Sequence, residues 1–157
     1  MKQKIKLLVN KEDWTVEVEP YATLADCLRE KLSLTGVRVS CNQGDCGACT
    51  VLLDGEPVYS CMTLAVGADG RSITTIEDLA QGQRLHPLQQ AFVENHGLQC
   101  GYCTSGMILS AKALLDRSPH PTEQEIKEGI AGNLCRCGCY PKIIKSVSIA
   151  AKMMGDS

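Results

Sequence analysis

The chain has 157 residues, ten of them cysteine, with 16 Lys and Arg against 18 Asp and Glu for a formal charge of −2. That balance excludes a basic nucleic-acid-binding surface, and 4% aromatic content leaves no stacking platform for bases. The length suits one domain or two small ones and allows a core burying roughly 68–70% of the unfolded surface, but it is too short for a nicotinamide or flavin domain plus a substrate domain.

The first half reads as strands. Residues 4–9 and 14–18 are short β-like runs, the second alternating Val16 and Val18 with Thr15 and Glu17. The turn-like segment 10–13 separates them. A helix follows, capped by Thr23, with Leu24, Cys27, Leu28 and Leu32 on one face. Cys27 is expected to be a core residue, since a free thiol packs as a small hydrophobe. Residues 41–49 form a Gly- and Cys-rich loop. Residues 50–53, a turn at 54–57 and residues 58–61 predict a hairpin, and residues 72–76 a last strand.

Beyond residue 80 the period becomes helical. Residues 86–95 predict a helix ended by Gly97. Residues 104–117 predict a second, with Met107, Ile108, Ala111, Leu114 and Leu115 as its apolar stripe, stopped by the prolines at 119 and 121. Thr122 with Glu125 has capping-box spacing and opens a third. Pro141 suits the first turn of a fourth, running to about residue 154. The expected architecture is α+β: residues 1–79 carrying the strands, then residues 80–157 as a four-helix domain.

The N-terminal apolar run Leu7-Leu8-Val9 is too short for a signal-peptide core, and no stretch reaches membrane-spanning length. The expectation is therefore a reducing cytoplasm, with export on a signal-bearing partner as the alternative. Cysteines in such a compartment are more often metal ligands or catalytic groups than disulfides.

Cys41, Cys46 and Cys49 are spaced C-x4-C-x2-C, and Cys61 lies further on. This is the plant-type [2Fe–2S] spacing. Two sulfide-bridged irons need four thiolates; a tight loop supplies three and an adjacent element the fourth. Gly44 and Gly47 let backbone N–H groups approach sulfur. A four-Cys zinc site is the competing reading, and its paired short knuckles fit this spacing less well. The strand–helix–loop–hairpin order also suits a ferredoxin-like β-grasp fold.

The second group is Cys100-x2-Cys103 and, further on, Cys135-x-Cys137. On spacing alone it describes a second cluster, a zinc ribbon or a redox dithiol. Both pairs precede predicted helices. The positive ends of those helices, facing each other, would stabilise four thiolates.

The strings CNQGDCGACTV, QCGYCTSGMI and AGNLCRCGCYPKI, in that order, resemble the iron–sulfur subunit of the molybdenum hydroxylase family (xanthine dehydrogenase, aldehyde oxidoreductase, carbon monoxide dehydrogenase, 4-hydroxybenzoyl-CoA reductase and nicotinate dehydrogenase types). The resemblance covers nearly the whole chain. It implies two [2Fe–2S] clusters, one on Cys41, Cys46, Cys49 and Cys61, the other on Cys100, Cys103, Cys135 and Cys137. It also implies that Gln99 approaches the pterin of the molybdenum cofactor. The implied partners are a molybdopterin-binding large subunit and an FAD-binding medium subunit. One departure stands out: the family usually has CRCTGY, and this chain has CRCGCY. Three cysteines thus compete for two ligand positions. With GNLCRC intact, Cys135 and Cys137 are the expected ligands, and Cys139 a thiol beside the cluster.

No G-x-G-x-x-G, P-loop or catalytic triad is present. His86, His96 and His120 are scattered, and none occupies a C-x-H position, so a Rieske centre is rejected. The acidic run Glu123, Glu125, Glu128 reads as a solvated helix face. The expected function is single-electron relay between the molybdopterin site and FAD or another acceptor, with no substrate-transforming site on this chain. A free-standing two-cluster carrier and a zinc-binding interaction module are the alternatives.

Overall fold

The computed structural model describes residues 1–155. Its sheet is mixed, in the order β2-β1-β5-β3-β4. Strands β1 (Gln3–Val9) and β2 (Glu12–Val18) form an antiparallel hairpin with Val9 opposite Glu12. The turn is therefore only Asn10-Lys11, shorter than the four residues expected. Both have positive φ, 53° and 69°, the two-residue turn whose twist matches the strands. Glu12 and Asp13 are released into β2.

The second hairpin behaves likewise. Strands β3 (Thr50–Leu53) and β4 (Glu56–Tyr59) flank Asp54-Gly55, at φ 51° and 86°. The strand expected at 58–61 starts earlier and ends at Tyr59. Pro57 is tolerated inside it because β4 is an edge strand. Strand β5 (Ser72–Thr74) lies between β1, to which it runs parallel, and β3, to which it runs antiparallel. It stops short of residue 76 because Ile76–Asp78 turns into a 3-10 helix.

Helix α1 (Leu24–Asp26) starts at a capping box between Thr23 and Asp26, and continues as a π-helical turn over Cys27–Lys31. Leu24, Cys27 and Leu28 pack on one sheet face with Ile5, Leu7, Val9, Val51, Leu53 and Ile73. Cys27 is 1% exposed, as expected of a core thiol, and burial pushes its pKa up.

The other helices are α2 (Pro87–Glu94), α3 (Thr104–Arg117), α4 (Glu123–Gly129) and α5 (Tyr140–Gly155). Their apolar stripes enclose a second core around Leu88, Phe92, Met107, Leu109, Ile126 and Val147. Leu52 of β3 belongs to this core, whereas its neighbours Val51 and Leu53 belong to the first. Successive strand residues face opposite ways, so β3 is buried on both faces and the helices cover the one opposite α1. Burying a leucine there contributes about 1.5–3 kcal/mol. Among the described residues no helix is long and apolar enough to cross a membrane.

Helix α2 has an unusual cap. His86 Nδ1 accepts from Leu88 N–H (3.2 Å), and Gln89 Oε1 accepts from His86 N–H (3.0 Å). Only a neutral ring can accept. Burial, and then the Lys112 ammonium, hold the His86 pKa below its ordinary 6.5, with Asp116 opposing. A depressed pKa means that the unfolded chain takes the proton first. The cap is therefore fully present above pH 6.5 and is lost as pH falls through that value and then through the lower folded value. Hydrogen-exchange protection of α2 is expected to fall over this window in the wild type. In His86→Ala it should be lower already at pH 8, by about 1 kcal/mol, and flat across the window.

Candidate metal centres

Cys41, Cys46, Cys49 and Cys61 gather at the end of the β3–β4 hairpin where Thr50 pairs with Tyr59. Asn42, Gly44 and Gly47 have φ of 54°, 83° and 70°, which curls the loop so that its amides point inward. Asp45 and Cys46 N–H donate to Cys41 Sγ at 3.3 and 3.4 Å. With the Gln43 N–H, the strongest donor of the three, they lower the Cys41 pKa to about 6. Cys49 and Cys61 lie deeper, at 2% and 5% exposure. Burial, then the hydrogen bond to Cys49, pushes Cys61 up to about 11, against the Gly44 N–H. The thiols thus pair as Cys41 with Cys46 and Cys49 with Cys61.

The second group pairs across two loops. Cys100 meets Cys137, and Cys103 meets Cys135. The Tyr102 N–H, then the Cys137 thiol, lowers the Cys100 pKa. Burial opposes ionisation of Cys135, but the amides of Cys139, Cys137 and Gly138 and the Cys103 thiol outweigh it. Burial and the Cys135 partner raise Cys103 to about 12. The donors differ from those expected. Cys103 is the N-cap of α3 but makes no side-chain cap bond; its carbonyl accepts from Met107 N–H. The N–H groups reaching sulfur come from the loops, which turn back at Gly101 (φ 83°) and Gly138 (φ 74°).

Pairing bears on which metal fits. A single tetrahedral zinc needs four converging ligands. Two irons bridged by sulfide need two thiolates each, and each half supplies two pairs. Metal loading would displace the thiol protons, least readily from Cys61 and Cys103, whose pKa values burial raises.

Cys139 stands at the start of α5, half-buried, where its carbonyl accepts from Ile143 N–H at 2.9 Å. Its thiol donates to Cys135, and it packs with Cys103 and Cys135 against the helical core. Gln99 is exposed and lines an open cavity of about 220 Å³ with Cys137, Gly138, Cys139, Pro141 and Lys142.

The sequence does not disclose how the two groups join. Leu134 N–H donates to Cys46 O at 2.8 Å. The buried Asn133 donates through Nδ2 to Gly47 O at 3.0 Å and accepts through Oδ1 from Ser110 Oγ at 2.7 Å. Tyr59 OH donates to Gly132 O (2.8 Å), and Tyr102 OH to Val39 O (2.7 Å). The chain is close-fitted there: a Cβ on Gly47 would lie 2.4 Å from Gly132 O, and one on Gly106 2.3 Å from Gly47 O. Asn133 lies inside GNLCRC, but asparagine is a mostly exposed residue type, so its burial carries no signal in the sequence.

Comparison with known proteins points the same way. The family model for the 2Fe-2S iron-sulfur cluster binding domain matches residues 7–88, and that for the [2Fe-2S] binding domain matches residues 75–148. The small subunit of nicotine 6-hydroxylase from Paenarthrobacter nicotinovorans is 49% identical over 98% of this chain and 92% of its own. The crystal structure of quinoline 2-oxidoreductase from Pseudomonas putida 86 superposes with a TM-score of 0.95 at 44% identity, covering 99% of this chain and 98% of that one. Aldehyde oxidoreductase from Desulfovibrio gigas superposes with a TM-score of 0.93 at 42% identity, covering 98% of this chain but 17% of that one.

Proposed function

The chain belongs to the [2Fe–2S] iron–sulfur subunits of the molybdenum hydroxylase family, and from that premise we propose that it relays single electrons from a molybdopterin site, through the helical half and then the sheet half, to FAD or another acceptor. It is the electron-transfer subunit of a multisubunit oxidoreductase and binds two [2Fe–2S] clusters. The observation that carries the ligand assignment is the two-by-two pairing of thiols in each half. When bound, the clusters accept and release one electron at a time.

The chain's own residues do the rest. Cys41, Cys46, Cys49 and Cys61 would hold the first cluster. Cys100, Cys103, Cys135 and Cys137 would hold the second. The amides that donate to Cys41 and Cys135 sulfur would offset the negative charge that reduction of a bound cluster adds. Gln99 stands on the rim through which the molybdopterin of the large subunit approaches. Residues 1–79 act as a ferredoxin-like β-grasp domain and residues 80–157 as a four-helix domain, with the boundary inside the overlap of the two family models.

Partner contact is supported by the apolar side chains near the cysteines. Met62 and Leu64 are 61% and 50% exposed beside Cys61, and Leu134 is 55% exposed beside Cys135. The molybdopterin-binding large subunit covers the helical side. An FAD-binding medium subunit suits the sheet side. In the aldehyde oxidoreductase neighbour the same fold is a small part of a much longer chain, which favours a permanent subunit over a free-standing carrier. The assembly belongs in the cytoplasm, where thiolate ligands stay reduced.

The test is iron, zinc and acid-labile sulfide per chain, with EPR of the dithionite-reduced complex. Equal iron and sulfide at two [2Fe–2S] per chain, with two distinct S = 1/2 signals, is the expected result. One signal with half the iron would remove the second assignment, and stoichiometric zinc both.

A further inference from the structure

We propose that Asn133 is a positioning residue for electron transfer, holding the ligand loops of the two clusters at a fixed separation. The inference rests on the ligand assignment above.

Asn133 is 3% exposed, and its carboxamide reaches three separate elements. Oδ1 accepts from Ser110 Oγ of α3 at 2.7 Å. Nδ2 donates to Gly47 O of the cysteine loop at 3.0 Å and to Thr50 Oγ1 of β3 at 3.4 Å. Its backbone is pinned as well: Asn133 N–H donates to Ile130 O at 2.9 Å, and its carbonyl accepts from Tyr140 OH at 3.1 Å. Tyr140 OH in turn accepts from Cys135 N–H at 2.8 Å.

What these bonds hold is the peptide that follows. Leu134 N–H donates to Cys46 O at 2.8 Å. Cys46 is a ligand of one cluster, and Leu134 precedes Cys135, a ligand of the other. Electron tunnelling decays less steeply along covalent and hydrogen bonds than through space. Lengthening this bond, or turning its donor away, should therefore slow transfer between the clusters while leaving each ligand set in place.

The chemistry selects asparagine. The site needs one acceptor for a hydroxyl and donors for a carbonyl and a second hydroxyl, all on one short planar group. Aspartate keeps the acceptor but turns a carboxylate toward Gly47 O. Alanine leaves the buried Ser110 hydroxyl without its acceptor, and frees Gly47 O from the Asn133 side while Thr50 N–H and Thr50 Oγ1 still donate to it at 3.1 and 2.7 Å.

The experiment uses the assembled holoenzyme. A flash-generated reductant delivers one electron, and rapid-freeze EPR follows its redistribution between the two cluster signals. Equilibrium redox titration supplies both midpoint potentials, and the splitting between the two reduced centres reports their separation. Asn133→Ala and Asn133→Asp should keep both signals and both potentials, alter the splitting, and slow redistribution by roughly tenfold or more, equivalent to about 1.4 kcal/mol in a barrier. Glu56→Gln is the control: it removes the 3.6 Å ion pair with Arg117, which also joins the halves, but not the Leu134–Cys46 bond. It should leave rate and splitting unchanged. If Asn133→Ala fails to load its clusters, Ser110→Ala, which only frees the carboxamide, is read in the same way. A wild-type rate in the loaded Asn133 variants overturns the proposal. So does equal slowing in Glu56→Gln, or slowing explained by shifted potentials. A wild-type complex with a single cluster would instead overturn the ligand assignment.

Discussion

Gly106→Ala is expected to destabilise the chain by about 2 kcal/mol or more and to loosen the contact between its two cysteine groups. On helix propensity alone the sign would be reversed, since alanine gains about 1 kcal/mol over glycine inside a helix. Packing decides otherwise. The added Cβ would lie 2.3 Å from Gly47 O and 3.1 Å from Ala48 O. Both are backbone atoms, so no rotamer change relieves the overlap. Overpacking usually costs about 1–3 kcal/mol, and a rigid clash belongs at or above the top of that range. Helix α3 cannot back away, because Met107, Ile108, Leu109 and Ala111 lock it into the helical core. Gly47 cannot retreat without breaking its bond from Asn133. Gly67→Ala is the comparison, since a Cβ there meets nothing within 4 Å. Thermal unfolding of the loaded complex and retention of the chain through purification should separate the two. Equal stability of the Gly106 and Gly67 variants would show that the junction yields.

The same junction marks where sequence reasoning ended. The C-x4-C-x2-C loop was legible because its spacing is local and its glycines announce positive φ. The capping boxes at Thr23 and Thr122 were legible because both partners lie within one turn. Asn133 was not, because its partners Gly47 and Thr50 lie 86 and 83 residues away; within GNLCRC it reads as motif filler. The two-residue turn at Asn10-Lys11 was missed because lysine carries no signal for positive φ. The source of the amides that reach Cys100 and Cys135 was misplaced for a related reason. Helix starts were visible in the periodicity, whereas the backward turns at Gly101 and Gly138 depend on dihedral angles that a Gly in a loop permits but does not dictate.

Cys103→Ala should remove one cluster and spare the other. Iron and acid-labile sulfide should each fall by half, and one of two EPR signals should vanish. Cys103 hydrogen-bonds Cys135, and on the proposed assignment both would hold the helical-half cluster. Cys139 is the nearest spare, but it lies against Cys135, with its backbone fixed at the start of α5. The surviving cluster would be the one proposed on Cys41, Cys46, Cys49 and Cys61. Its two buried cysteines pack in the sheet core with α1, a different apolar cluster from the one that receives Cys103. Cys139→Ala is the matched test of the three-for-two competition in CRCGCY. As a neighbour rather than a ligand, Cys139 can be truncated with full iron retained. The loss of its thiol donor to Cys135 should then lower the potential of the helical-half cluster alone, because a hydrogen bond to a ligand sulfur stabilises the more negative, reduced state. Loss of half the iron in Cys139→Ala, with retention in Cys137→Ala, would transfer the ligand position from Cys137 to Cys139.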